Sequence, residues 1–111
     1  MLTVVQAALE LFRLSSKYGL QHLQELTAAS IGGSLTVDNV VDALELSVEC
    51  EWSELTEQCV LFIIRENLSE TLQQKVKNAR LDPKLRKRIV LGISAYRMAQ
   101  EDKTMYAYPT T

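Results

Sequence analysis

The sequence predicts an all-α fold of about six helices, arranged as stacked antiparallel helical hairpins. The 111 residues include only two prolines and four glycines, so long segments run without a helix breaker. Apolar residues recur at spacings of three and four, as on one face of a helix. No run alternates apolar and polar residues as a half-buried strand would. The predicted connections of about three to six residues are typical of antiparallel neighbours.

The first two helices are predicted to form a hairpin around Gly19. The first covers residues 3–17, and Leu11 and Leu14 widen its apolar face. We therefore expect this helix to be buried on more than one side. Gly19 is suited to a left-handed helix end. The second helix covers residues 21–31 and ends at the glycine pair that follows.

The third and fourth helices are predicted from their caps. Thr36 is placed as the N-cap of a helix over residues 37–49, because its hydroxyl can accept from the backbone two or three residues on. Ser53 is placed as the cap of a helix over residues 54–66. Asn67 then takes a left-handed position at the helix end.

The last two helices follow a change in composition. A short helix is predicted after Ser69. Asp82 and Pro83 mark the start of a helix over residues 83–100, since an acid at the N-cap and proline at the first position favour a helix start. Residues 101–111 show no periodicity and are predicted to be a flexible tail. No repeat of fixed period is visible, so a solenoid is not predicted.

The net charge of −2 conceals a strong asymmetry along the chain. Residues 1–68 hold three basic and ten acidic residues, and residues 69–111 hold nine basic and four acidic residues. No lysine or arginine occurs between Lys17 and Arg65. Such a split indicates two surfaces with different partners, or attraction between the halves.

Two charged clusters account for most of this asymmetry. Four acids share one side of the predicted third helix: Asp38, Asp42, Glu45 and Glu49. They form a solvated face or a docking surface for a basic partner, including this chain's own second half. The basic cluster covers residues 75–88 and holds seven lysine or arginine residues. Its candidate contact surface on the last helix consists of Lys84, Arg86, Lys87 and Arg88. Such a cluster can contact phosphates, but it lacks interleaved aromatic residues. A small helical nucleic-acid-binding or regulatory module is therefore the alternative function and not the favoured one.

No set of catalytic, cofactor-binding or metal-binding residues is predicted. His22, the single histidine, lies on the polar side of its helix. Cys59 lies among apolar residues and is expected to be buried, and Cys50 lies between two glutamates that disfavour a reactive thiolate. The chain has no apolar stretch long enough to span a membrane and no signal-peptide pattern. We expect a cytoplasmic or nuclear protein.

Two segments resemble parts of BTB/POZ proteins. Residues 9–26, LELFRLSSKYGLQHLQEL, are similar to the last helix pair of a BTB/POZ domain, in which a turn of the type (A/S)-(D/S)-K-Y precedes an L-x-x-L-x-x-L helix. Residues 35–40, LTVDNV, resemble the entry into the three-box hairpin, which opens the BACK region. The matching positions in the second helix of that hairpin are Trp52, Leu55, Cys59, Phe62 and Ile63.

The resemblance implies a domain organisation. Residues 1–33 correspond to the BTB helix pair, 34–68 to the three-box hairpin and 69–100 to a BACK-like hairpin. The strand-rich half that normally begins a BTB domain does not precede them. We therefore expect a fragment or a variant, with uncovered apolar faces on the first two helices that favour self-association.

The resemblance also implies a function. Members of this family act as substrate adaptors of cullin-3 ubiquitin ligases, so the expected function is protein–protein interaction without catalysis or cofactor. The expected partner is the cullin-3 N-terminal domain. The residues that the resemblance assigns to partner contact are Tyr18, Leu20, Val41, Leu44, Val48 and Leu55.

Overall fold

The computed structural model describes the backbone of residues 4–107 and the side chains of residues 5–100. These residues form six α-helices and no strand, which confirms the predicted all-α class. The helices are α1 Val4–Lys17, α2 Gln21–Gly32, α3 Val40–Glu49, α4 Ser53–Arg65, α5 Glu70–Asn78 and α6 Pro83–Ala107.

The chain divides into two compact units between Arg80 and Leu81. In the first unit, α1 packs against α2 and α3, α4 packs against α2 and α3, and α5 packs against α3. The second unit contains α6. The predicted BACK-like hairpin, residues 69–100, therefore falls into both units. The core of the first unit includes Phe12, Ile31, Leu44, Leu55 and Ile63.

The two hairpins of the first unit close with the same hydrogen bonds. The Leu20 N–H donates to the Ser15 carbonyl at 2.8 Å, and the Trp52 N–H donates to the Ser47 carbonyl, also at 2.8 Å. Both serine side chains are buried, and each hydroxyl donates to the carbonyl three residues earlier at 2.7 Å. The second turn thus has the same geometry as the first turn, at positions shifted by 32 residues (from Ser15 to Ser47). This structural repeat was not predicted from the sequence.

Each of these turns also contains one residue with left-handed backbone. Gly19 has φ of 66°, which confirms its predicted role, and Glu51 has φ of 55° at the equivalent position. Glycine adopts this conformation without strain, whereas a side chain with a Cβ atom is strained in it. The repeated turn therefore costs more free energy in the second hairpin than in the first.

The predicted start of the third helix is wrong by three residues. Residues 37–39 form a turn, and α3 begins at Val40. The Thr36 side chain does not cap it. Instead, the Asn39 side chain accepts from the Thr36 N–H at 2.8 Å and donates to the Ser34 carbonyl at 3.0 Å. The Asn39 side chain forms hydrogen bonds with backbone groups of the turn, and these bonds stabilise the turn in place of a first helical turn. The helix therefore begins later than predicted.

Two features of α4 also differ from the prediction. Ser53 is the first residue of the helix, and Trp52 occupies the cap position without a side-chain hydrogen bond. Asn67 does not adopt left-handed backbone, since Glu51 is the one non-glycine residue with positive φ in the described chain. Asn67 instead donates from Nδ2 to the Ile64 carbonyl at 2.7 Å. This side-chain hydrogen bond satisfies a carbonyl near the C-terminus of α4, which is the role that a left-handed cap residue was predicted to have.

The sequence signals that start the last two helices are confirmed. The predicted end of the last helix is wrong. The Leu72 N–H donates to Ser69 Oγ at 3.3 Å, and the Lys84 N–H donates to Asp82 Oδ1 at 3.0 Å. The last helix begins at Pro83 but continues to Ala107, so the predicted tail is helical over residues 101–107. No proline or glycine interrupts this part of the helix. Residues 108–111 lie outside the described residues.

Candidate interaction surfaces

Three of the six residues assigned to partner contact by resemblance lie in the core. Val41, Leu44 and Leu55 are buried, because α3 and α4 pack their apolar faces against each other. Their side chains are not accessible to a partner in this structure. The sequence pattern does not separate a groove-lining position from a core position, since both are apolar at helical spacing.

The other three residues are exposed. Tyr18, Leu20 and Val48 are 66%, 50% and 44% exposed, respectively. Tyr18 and Leu20 flank the glycine of the first turn, and the Lys17 ammonium lies 5.7 Å from the centroid of the Tyr18 ring. Val48 lies in the last turn of α3, immediately before the second repeated turn. Exposed apolar side chains therefore lie at both turns, Tyr18 and Leu20 at the first and Val48 at the second.

The first helix carries an exposed apolar stripe that includes two residues predicted to be buried. Leu11 and Leu14 were expected to widen the buried face of the helix, but each is 46% exposed. The buried face of α1 instead contains Ala8, Phe12 and Ser15. The spacing from Leu11 to Leu14 to Tyr18 is three and then four, which is a sequence signal for a second apolar face.

The acidic stripe is divided between two environments. Asp42, Glu45 and Glu49 line a cleft of about 330 Å³ between α3 and α1, and α1 contributes Glu10 and Arg13. The Glu10 carboxylate and the Arg13 guanidinium form an exposed ion pair at 3.7 Å. This cleft is strongly acidic, with one arginine among its lining residues.

The remaining member of the stripe lies elsewhere. Asp38 contacts Lys75 of α5, whose ammonium lies 3.8 Å from the Asp38 carboxylate and donates to the Asp38 carbonyl at 2.9 Å. This pair is one point at which the basic second half of the sequence meets the acidic first half. Both side chains are substantially exposed, so the pair contributes little to stability.

A second acidic groove contains the single tryptophan. It has a volume of about 680 Å³, lies between α2 and the start of α4, and is lined by Trp52 together with Glu25, Glu54 and Glu57. The Trp52 ring meets the Phe12 ring edge to face, with centroids 5.9 Å apart. The resemblance assigns Trp52 to the second helix of the three-box hairpin, and its position in a groove was not predicted.

The basic candidate surface lies on the first turns of α6. Lys84, Lys87 and Arg88 are exposed, and Arg86 is half-buried. Cations at the N-terminus of a helix oppose the helix dipole, so this cluster is not placed there for helix stability. Contact between these residues and nucleic acid stays a prediction.

The two cysteines and the single histidine differ in their exposure. Burial raises the pKa of Cys59 to about 12, so its thiol is protonated at neutral pH. Cys50 is half-buried and His22 is exposed. Within the described part of the chain, no three histidine, cysteine or acidic side chains are grouped to hold a metal ion. None of the described helices has the length and apolarity needed to cross a membrane.

Protein-family models, curated proteins and solved structures each give no match to this chain.

Proposed function

We propose that this chain is a non-catalytic protein-binding module of the kind found in cullin-3 substrate adaptors. The proposal rests on the resemblance of residues 9–26 to the end of a BTB domain and of residues 34–68 to a three-box hairpin. Two consecutive helical hairpins with one shared turn geometry support it. The chain would act as a scaffold and would transfer no ubiquitin itself.

The observation that carries the proposal is the exposure of Tyr18, Leu20 and Val48. Each is a sizeable apolar side chain that remains in contact with water, at a position that the resemblance assigns to a partner. Tyr18 and Leu20 lie two residues apart at one turn, and exposed apolar residues that are close together are typical of interaction sites. The hydrogen bonds of the two turns hold the backbone beside these residues before any partner arrives, which lowers the entropy cost of binding.

The buried members of the assigned set have a different part in this proposal. Leu44 and Leu55 fix the packing of α3 on α4, and that packing orients the last turn of α3. They would support the contact surface without touching the partner. A substitution at Leu44 therefore tests the fold, and a substitution at Val48 tests the surface.

Calorimetric titration of the chain with the cullin-3 N-terminal domain tests the proposal. We expect binding by the wild type and at least about a tenfold loss of affinity for Val48→Asp, because a charge would be brought into an apolar contact. Leu68→Asp is the matched control, since Leu68 is 81% exposed and lies between α4 and α5. Circular dichroism establishes that each variant is folded. No binding by the folded wild type, or equal losses in the two variants, would refute the proposal.

The basic surface of α6 favours an alternative function, in which the chain binds nucleic acid through Lys84, Lys87 and Arg88. These exposed cations lie within two turns of one helix. Titration with a duplex DNA at several salt concentrations separates this function from cullin binding. Phosphate contacts predict an affinity that falls steeply as salt rises, whereas an apolar contact predicts a shallow dependence.

A further inference from the structure

The first helix carries two apolar faces, and the first unit buries only one of them. Ala8, Phe12 and Ser15 are buried, whereas Leu11, Leu14 and Tyr18 are exposed. With the half-buried Ala7, the exposed residues follow the spacing four, three, four. This is the heptad spacing of a helix that packs along its length against another helix.

The internal repeat shows how the same face is used elsewhere in the fold. The residues of α3 equivalent to Leu11 and Leu14 are Ala43 and Leu46, 32 residues later (from Leu14 to Leu46), and both are buried. Leu46 lines the cleft between α3 and α1, so α1 covers this face of α3. The same face of α1 is apolar but uncovered. An exposed apolar face of this kind is typical of an interaction surface.

We propose that two copies of this chain associate through the exposed faces of their α1 helices, packed antiparallel about a two-fold axis. An axis that places Leu11 opposite Leu14 of the second copy also places Ala7 opposite Tyr18 of the second copy. The small side chain then leaves room for the large one. A two-fold axis makes every such contact twice.

Charge complementarity favours a second copy as the occupant of this face. Glu10 and Lys17 lie along one edge of the stripe, each directly before one of its exposed apolar residues. The antiparallel arrangement brings Glu10 of one copy beside Lys17 of the other, on both sides of the axis. The stripe is short, so association is expected to be weak and reversible.

Sedimentation velocity over a roughly hundredfold range of protein concentration tests the association by mass action. The weight-average sedimentation coefficient of the wild type is expected to rise from the monomer value toward the dimer value. Leu14→Glu is expected to remain at the monomer value throughout. Leu68→Glu is the control and should behave as the wild type, since Leu68 lies outside the stripe. A wild type that is monomeric at every concentration would overturn the proposal, as would self-association unchanged by Leu14→Glu.

A charge exchange tests the antiparallel register. Glu10→Lys alone and Lys17→Glu alone each place like charges across the axis, and each is expected to weaken association roughly threefold to tenfold. The double variant restores opposite charges and should return the dissociation constant to within about twofold of the wild type. Equal weakening in the single and double variants would overturn this register. No cullin is present in these measurements, so their outcome is independent of the proposed function.

Discussion

The two repeated turns allow a prediction in which equivalent substitutions have opposite signs. Gly19→Ala should destabilise the protein, and Glu51→Gly should stabilise it. Both positions have left-handed backbone, with φ of 66° and 55°. The first substitution introduces a Cβ into that conformation, and the second removes one.

The magnitude can be worked from the structure. Beyond Gly19 and its two chain neighbours, no heavy atom lies within 4 Å of a Cβ built on Gly19, so alanine there meets no steric obstacle beyond its own backbone strain. That strain is about 1–2 kcal/mol. The smaller conformational entropy of alanine in the unfolded chain offsets about 0.4–1 kcal/mol of it. With the middle of each range, the net loss in the free energy of unfolding is about 0.8 kcal/mol, and Glu51→Gly should give a gain of similar size.

Urea unfolding followed by circular dichroism measures both changes. Gly33→Ala is a matched control, because Gly33 has φ of −81° and its added Cβ would lie at an ordinary contact distance, 3.5 Å from the Ala29 carbonyl oxygen. This control should be neutral or slightly stabilising. A neutral Gly19→Ala would refute the reasoning from left-handed strain, and so would a destabilising Glu51→Gly.

Three further predictions concern the core, the buried thiol and the exposed ion pair. Leu44→Ala should lower the free energy of unfolding by about 2–5 kcal/mol in denaturant titrations, since Leu44 is fully buried; a loss below about 1 kcal/mol would contradict that burial. Burial raises the pKa of Cys59 from its ordinary value of 9.0 to about 12, so the unfolded thiol loses its proton first and the free energy of unfolding falls as pH rises from about 9 toward 12. Cys59→Ala should lack this part of the pH dependence, and parallel slopes for the two proteins would contradict it. Lys75→Ala should change stability by less than about 0.5 kcal/mol, because its ion pair with Asp38 is exposed; a larger loss would show a structural role for the pair.

The number and type of the helices were predictable because local signals determine them. Glycine at a left-handed turn, serine at an N-cap and proline at a first helical position each act within a few residues, and Gly19, Ser69 and Pro83 occupy these positions in the structure. The start of α3 was not predictable in this way. Thr36 and Asn39 are both good capping residues, and the three-dimensional turn decides between them.

The same limit applies to the internal repeat. The two hairpins share the serine carbonyl bond and the left-handed position of the turn, but the left-handed residue is glycine in one and glutamate in the other. Leu20 and Trp52, which close the two turns, also differ. A repeat preserved in backbone geometry and burial is hidden when side chains of different size occupy equivalent sites.

The candidate surface shows most clearly what a helical pattern leaves open. Periodicity predicts that Leu44 and Val48 share an apolar face, yet one is fully buried and the other is exposed near the end of the helix. The burial of a residue depends on which neighbouring helix packs over its turn. The sequence of one helix does not contain this information. This difference separates two roles within the set assigned by resemblance. Substitution of Leu44 destabilises the fold and so affects every surface of the protein. Substitution of Val48 leaves the core intact. Only a substitution at Val48 can therefore report a partner contact.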